Sequence, residues 1–189
     1  RPPAGAPLPP RTGGRPEQVM LEDTRIRCFP PVADPATARV LILGSMPGAA
    51  SLDANQYYAH PRNLFWPFMQ QLFGIPVELG YLQRCQLLTE QGVALWDVIA
   101  HCERAGSLDS AIKKSTVICN AIPQLLEAQP QILKICFNGA KAAEEFKRHL
   151  LPLVKHRSDI EYLQLPSSSP AHASQSKEQK LELWAKALG

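Results

Sequence analysis

The chain has 189 residues, 20 of them Lys or Arg against 17 Asp or Glu, and a formal net charge of +3 at pH 7. With 45% apolar and 20% charged residues, it has the balance of one ordinary globular domain, long enough to bury a core. The slight positive charge tolerates a nucleic-acid partner without arguing for one. Five cysteines, Cys28, Cys85, Cys102, Cys119 and Cys136, are widely spread and form no CxxC pair, so zinc and iron–sulfur sites lack their local spacing. Cys119 and Cys136 sit among apolar residues and are expected to pack as small hydrophobes. No apolar run reaches membrane-spanning length, and no signal segment is expected ahead of the fold. These features predict a reduced, cytoplasmic protein without a metal site; a monomer that needs no cofactor is expected.

Residues 1–18, RPPAGAPLPPRTGGRPEQ, lack periodicity and predict a flexible tail ahead of a folded domain over 19–189. The first apolar run, Val40–Leu43, predicts a buried strand that ends in Gly44-Ser45-Met46-Pro47-Gly48. Phe65, Phe68, Met69 and Leu72 then fall at helical spacing, with Asn63 placed to cap that helix and Pro67 in its first turn. Residues 79–91 predict a second helix and Val93–Trp96 a second strand. Asn120 is placed to cap a third helix, with Pro123 early and Ile122, Leu125 and Leu126 on its buried side. A strand over Ile132–Phe137 and a helix over Ala140–Leu151, burying Ala143, Phe146 and Leu150, precede the strand Ile160–Leu165. The last helix, Ser174–Leu188, carries a stripe of Leu181, Trp184, Ala185 and Leu188, and Ser176 with Gln179 makes a capping-box pattern.

Strands alternating with helices predict an α/β fold, a central parallel sheet of about four strands with helices on both faces. Ligands in such sheets bind beyond the carboxyl ends of the strands. The segments found there, Gly44–Gly48, Asp97–Ala100, Asn138–Gly139 and Pro166–His172, are all rich in small or polar residues. Gly44–Gly48 is too short for a phosphate loop and lacks its Gly-Lys-Ser/Thr ending, and Ser45 is not in a GxSxG elbow. By itself this stretch reads equally well as a tight strand-to-loop turn.

The segment Tyr57-Tyr58-Ala59-His60-Pro61-Arg62-Asn63-Leu64-Phe65-Trp66 is more specific. It resembles a motif of the uracil-DNA glycosylase superfamily. The mismatch-specific branch of that superfamily joins a Gly-x-Asn-Pro-Gly loop to Phe-Ala-His-Pro-x-Asn-x-Phe-Trp. Leu165-Pro-Ser-Ser-Ser-Pro-Ala-His172 resembles its second signature, His-Pro-Ser-Pro-Leu-Ser. The three ordered motifs look closest to the hypoxanthine-DNA glycosylase (DNA-deoxyinosine glycosylase) branch, over residues 22–188. The resemblance implies a three-layer α/β fold and a monofunctional glycosylase of base excision repair. Its substrate would be DNA carrying a flipped, deaminated base, hypoxanthine from deoxyinosine or else uracil, and its reaction hydrolysis of the N-glycosidic bond. A uracil or mismatch glycosylase of the same fold is one alternative. A non-catalytic binder of damaged or single-stranded DNA is another.

The resemblance also implies roles. Met46 stands where relatives place a water-activating Asp or Asn, and the duty falls to Asn63. An amide suffices to orient water when the C–N bond is largely broken before attack. Capping the helix is the other role open to Asn63, and one side chain can serve both. Gly44, Ser45 and the backbone at Met46 are expected to cradle the base. Tyr58 falls where the family stacks an aromatic on it, worth roughly 1–3 kcal/mol; core packing is the alternative for Tyr58, as for Tyr57. Asp97 falls where several relatives carry a base-reading Asn. A carboxylate accepts hydrogen bonds only, so it suits hypoxanthine and uracil, which carry an N–H on the pairing edge, and rejects adenine. A helix-capping or salt-bridged Asp is the alternative there. Asn138 is expected either at a base-binding N–H cluster or as a structural cap. Ser167, Ser168, Ser169, Pro170, Ala171 and His172 are expected to grip the DNA, with a plain polar turn as the alternative. Ser167 replaces the family's His, and Ala171 replaces the Leu that fills the vacated stack. No lysine in these motifs is placed to form a Schiff base, so an abasic product without strand cleavage is expected.

Overall fold

The computed structural model describes residues 25–189; the segment read as a tail, 1–18, lies outside the described residues, as do 19–24. The elements run β1 (Arg25–Arg27), β2 (Val40–Gly44), α1 (Ala49–Ala54), α2 (Phe65–Phe73), α3 (Tyr81–Glu90), β3 (Val93–Asp97) and β4 (Ile99–Glu103). After two short 3-10 turns come β5 (Ile118–Cys119), α4 (Ile122–Ala128), β6 (Lys134–Asn138), α5 (Ala140–His149), α6 (Leu151–Val154), β7 (Glu161–Leu165) and α7 (Lys177–Leu188).

The central sheet has the order β3-β2-β6-β7 with every pairing parallel. Its core follows from the period-two alternation of strand side chains. Leu41 and Leu43 of β2 and Ile135 and Phe137 of β6 face one side, where Ile122 and Leu126 of α4 and Ala142 and Phe146 of α5 cover them. Ile42, Leu95 and Cys136 face the other, under Phe65, Phe68 and Met69 of α2, Leu88 of α3 and Trp184 of α7. Each large side chain so buried contributes about 1.5–3 kcal/mol, and both faces are closed, as a parallel sheet requires. This is the α/β arrangement expected from the sequence.

Several local expectations are corrected. A second sheet, order β1-β4-β5 and antiparallel, covers a cluster of Met46, Ile99, Cys102 and Ile112. β1 and β5 have only three and two residues, and β4, Ile-Ala-His-Cys-Glu, is not an apolar run, so none of the three carries a local strand signal. Asn120 does not cap α4, whose N-cap is Ala121; its Nδ2 donates to the Asp97 carbonyl at 2.8 Å and ties the helix entry to the end of β3. α5 ends at His149 with Leu150 as its C-cap, Leu151 opens the separate α6, and α3 begins at Tyr81. The capping box of Ser176 and Gln179 is present, with α7 starting at Lys177. The face that α7 buries is rotated from the predicted stripe: Lys180, Trp184 and Ala187 are buried, while Leu181, Ala185 and Leu188 are half-buried.

All five cysteines are free. Burial pushes the Cys119 and Cys136 thiols up to about 11, as their packing as small hydrophobes requires. Among the described residues no helix is long and apolar enough to cross a membrane.

Candidate active site

The carboxyl ends of β3, β2, β6 and β7 set Asp97, Gly44, Asn138 and Leu165 side by side. The loops that follow enclose a cavity of about 630 Å³. Gly44, Ser45, Met46, Tyr58, Asn63, Asp97 and Asn138 all line it, as do Ser167, Ser168, Ser169, Pro170, Ala171 and His172. Three motifs, the first and last more than a hundred residues apart in the chain, thus meet in one place, because parallel strands present all their carboxyl ends on one edge.

Asp97 is 3% exposed and lies against Gly44 at the bottom of this cavity. A Cβ on Gly44 would stand 2.5 Å from Asp97 Oδ1 and 3.2 Å from the Tyr58 hydroxyl, so only glycine admits both groups. Cys28 Sγ donates weakly to Asp97 Oδ2 at 3.5 Å. No salt bridge reaches Asp97 among the described residues, and it ends a strand, so neither the ion-paired nor the helix-capping alternative holds. Loss of solvent raises its pKa to about 7; the bond from Cys28 opposes this, the charge of Asp109 adds to it, and Arg104 and the Gly44 N–H oppose it. The expectation of an acceptor-only carboxylate therefore needs correction. Near neutral pH the side chain divides between a charged acceptor and a neutral acid that can also donate.

Tyr58 adopts φ of 58°, the left-handed region that a bulky residue enters only under tertiary constraint. Its ring stacks on Phe65, centroids 4.2 Å apart. Burial pushes its phenol up, and the hydroxyl finds no hydrogen-bond partner among the described residues, although the Asn138 amide lies near. Tyr57 is core, 2% exposed, with its hydroxyl 3.0 Å from the Pro30 carbonyl.

Asn63 is not the N-cap of α2, which is Leu64, but it serves the helix entry: its Oδ1 accepts from the Phe65 N–H at 2.9 Å, and its own N–H donates to the His60 carbonyl. That bond uses one lone pair of Oδ1 and neither Nδ2 proton. The next residue, Leu64, donates its N–H to the Ser168 carbonyl at 3.0 Å and joins the second motif to the third. Asn138 completes the join. Its Oδ1 accepts from the Ser168 N–H and its Nδ2 donates to Ser168 Oγ, both at 2.9 Å. It does not cap α5; that position is Gly139, at φ 96°, packed so closely that a Cβ would meet Ser167 at 3.2 Å. Ala171 and His172 are exposed at the end of this loop, where His172 Nε2 lies 3.1 Å from Ser174 Oγ.

Sequence reasoning missed two supports. Lys180, buried on α7, donates its Nζ to the Ser167 carbonyl at 2.8 Å and to the His172 carbonyl, so one ammonium spans both ends of the third-motif loop. The signal available was a lysine in step with Trp184 on a helix face. The other support is the segment after β4. Ser45 Oγ donates to Asp109 at 2.6 Å, Ser107 Oγ accepts from the Ala49 N–H at 2.8 Å, and Arg104 donates to the Pro47 carbonyl at 2.6 Å. Nothing in the sequence marks these pairs, because they span about 60 residues and only the fold brings them together. The Met46 side chain is buried in the cluster beneath the small sheet. Lys141, another lining residue, is paired to Glu145 at 3.0 Å. Among the described residues no three His, Cys, Asp or Glu side chains gather as a metal site.

Residues 30–188 match the model of the Uracil DNA glycosylase superfamily. The chain belongs to that superfamily. It is 36% identical over 157 residues to the hypoxanthine DNA glycosylase of Methanosarcina acetivorans, spanning 82% of this chain and 94% of that protein. It is 37% identical over 117 residues to the hypoxanthine DNA glycosylase of Methanosarcina barkeri, 61% of this chain and 72% of that one. A solution NMR structure from M. acetivorans, assigned by name to the uracil DNA glycosylases, is similar with a TM-score of 0.72 and 34% identity, covering 87% of this chain and 96% of its own. The superfamily resemblance read from the three motifs and the α/β fold read from periodicity both agree with these matches.

Proposed function

We propose that the protein is a monomeric, monofunctional DNA glycosylase that takes an extruded hypoxanthine, and secondarily uracil, into this cavity and hydrolyses its bond to the sugar. The observation that carries the reading is the pairing of a buried carboxyl at the cavity floor with an aromatic wall and an amide oriented by a backbone N–H, in a chain with these relatives. The charged form of Asp97 accepts the N1–H of hypoxanthine or the N3–H of uracil and repels the lone pair at N1 of adenine. Tyr58, backed by Phe65, supplies the aromatic wall on which the base stacks. Asn63, its orientation fixed by the Phe65 N–H, holds a water on the sugar side of the base. As the C–N bond lengthens, charge builds on the sugar, and water then needs placing more than deprotonating. Water adds to the anomeric carbon, its proton passes to solvent, and the base leaves with the bonding pair.

Ser167–Ser169 offer hydroxyl and N–H groups to phosphates, with Arg62 and His172 as cavity-lining basic neighbours. Lys141, paired with Glu145, is not free to attack the sugar, which supports an intact abasic product. The test is incubation with oligonucleotides carrying inosine, uracil or xanthine, followed by alkali. Cleavage at inosine that appears only after alkali is expected; tight binding with no alkali-labile product would remove the enzymatic reading.

A further inference from the structure

Extruding a base from a duplex leaves an opening in the stack, and apolar side chains inserted there hold the distorted state open. The third-motif loop offers only the methyl group of Ala171 and the half-buried ring of Pro170 for this. The other wall offers more. Leu108 lines the cavity and is 56% exposed, and of the large apolar side chains exposed among the described residues it alone lines the cavity. An exposed leucine beside a polar cavity gains nothing by folding there, since its area remains in water.

The segment that presents it is rigidly tied. Asp109, next in sequence, accepts from Ser45 at 2.6 Å, and Ser107, just before, accepts from the Ala49 N–H at 2.8 Å. Arg104 holds the Gly106 carbonyl at 2.9 Å and the Pro47 carbonyl at 2.6 Å, joining this loop to the one at the cavity floor. Ile112 anchors the far end in the cluster beneath the small sheet. Of the neighbours of Leu108, Asp109 is thus hydrogen-bonded to the first motif and Ser107 to the start of α1 that follows it, while the Leu108 side chain is left largely in solvent. Such a placement leaves little backbone ordering entropy to be lost when the side chain is used.

We propose that Leu108 is the wedge that enters the duplex as the base is extruded, a role that rests on the glycosylase reading above. The wedge and the base pocket are then one rigid unit, because Asp109 and Arg104 lock the loop to Gly44–Gly48.

The test compares inosine in duplex and in single-stranded oligonucleotides. Leu108→Ala is expected to lower kcat/KM on the duplex about tenfold or more and to leave the single strand within about twofold, since only the duplex must be opened. Leu108→Met should restore the duplex rate, and Leu153→Ala, at an equally exposed leucine outside the cavity, should change neither. Equal losses on both substrates, or an unchanged duplex rate, would overturn the proposal. A 2-aminopurine beside the inosine gives a readout independent of chemistry. Its fluorescence should rise when the wild-type protein binds the duplex and fail to rise with Leu108→Ala; a rise equal in both proteins overturns the wedge. If wild-type protein excises no base from either substrate, the glycosylase reading fails instead, and the fluorescence comparison still decides the wedge.

Discussion

Replacing Asp97 by Asn exchanges a buried acid for a neutral group of the same shape, and its effect on stability follows from burial alone. The folded chain holds the acid at about 7, against an ordinary value of 3.8, chiefly because the cavity floor removes solvent from the charged form. The folded state therefore keeps its proton longer than the unfolded state does. The stability associated with Asp97 is full below about 3.8 and falls by roughly 1.4 kcal/mol per pH unit as the unfolded chain ionises first. It is lost once the pH passes about 7, for a total of about 4 kcal/mol. Asp97→Asn should therefore match the wild type near pH 4 and exceed it by about 4 kcal/mol at pH 8. Urea unfolding of both proteins from pH 4 to pH 8 measures the difference, in which every other titrating group cancels. A difference that does not change with pH would show that Asp97 is solvated, and the account of the cavity floor would fail. Activity adds a second readout: if the charged form reads the base, wild-type kcat/KM on inosine climbs as pH passes about 7, and the variant's profile is flat over that range.

Other substitutions separate roles that coincide in one side chain. Asn63→Ser keeps a hydroxyl able to accept from the Phe65 N–H and should cost under about 1 kcal/mol by thermal unfolding, while excision of inosine falls roughly 100-fold or more; retained excision would refute the water-orienting role. Tyr58→Phe removes a buried hydroxyl that has no partner, so stability should hold or rise by up to about 1 kcal/mol with excision retained, whereas Tyr58→Ala should lose both. Lys180→Met removes the bonds to the Ser167 and His172 carbonyls; KM for DNA is expected to rise with kcat changed little, and hydrogen exchange should quicken over 166–172.

The sequence carried the four parallel strands because each is a short apolar run with its own local signal, and it carried α2, α5 and α7 because their apolar residues recur at helical spacing. It also carried the ordered motifs, from which the family and the candidate residues around the cavity could be named before any fold was known. What it could not carry were pairings between distant segments. Asn120 looked like a helix cap because capping is the local use of Asn; the fold gives it to the Asp97 carbonyl instead. Asn138 looked like a cap for the same reason and is clasped to Ser168.

The chemical state of the site belongs to the tertiary structure as well. Asp97 reads in the sequence as an ordinary carboxylate, and only burial against Gly44, with no cation paired to it among the described residues, makes it an acid near neutrality. Lys180 and the Arg104–Asp109 segment have no local pattern to give them away, because their partners lie on other elements. Patterns of period two and 3.6 record which faces are buried, and they determined the elements and the sheet. Hydrogen bonds and desolvation depend on what stands opposite each side chain, and that was settled only when β2, β3, β6 and β7 brought their carboxyl ends to one edge.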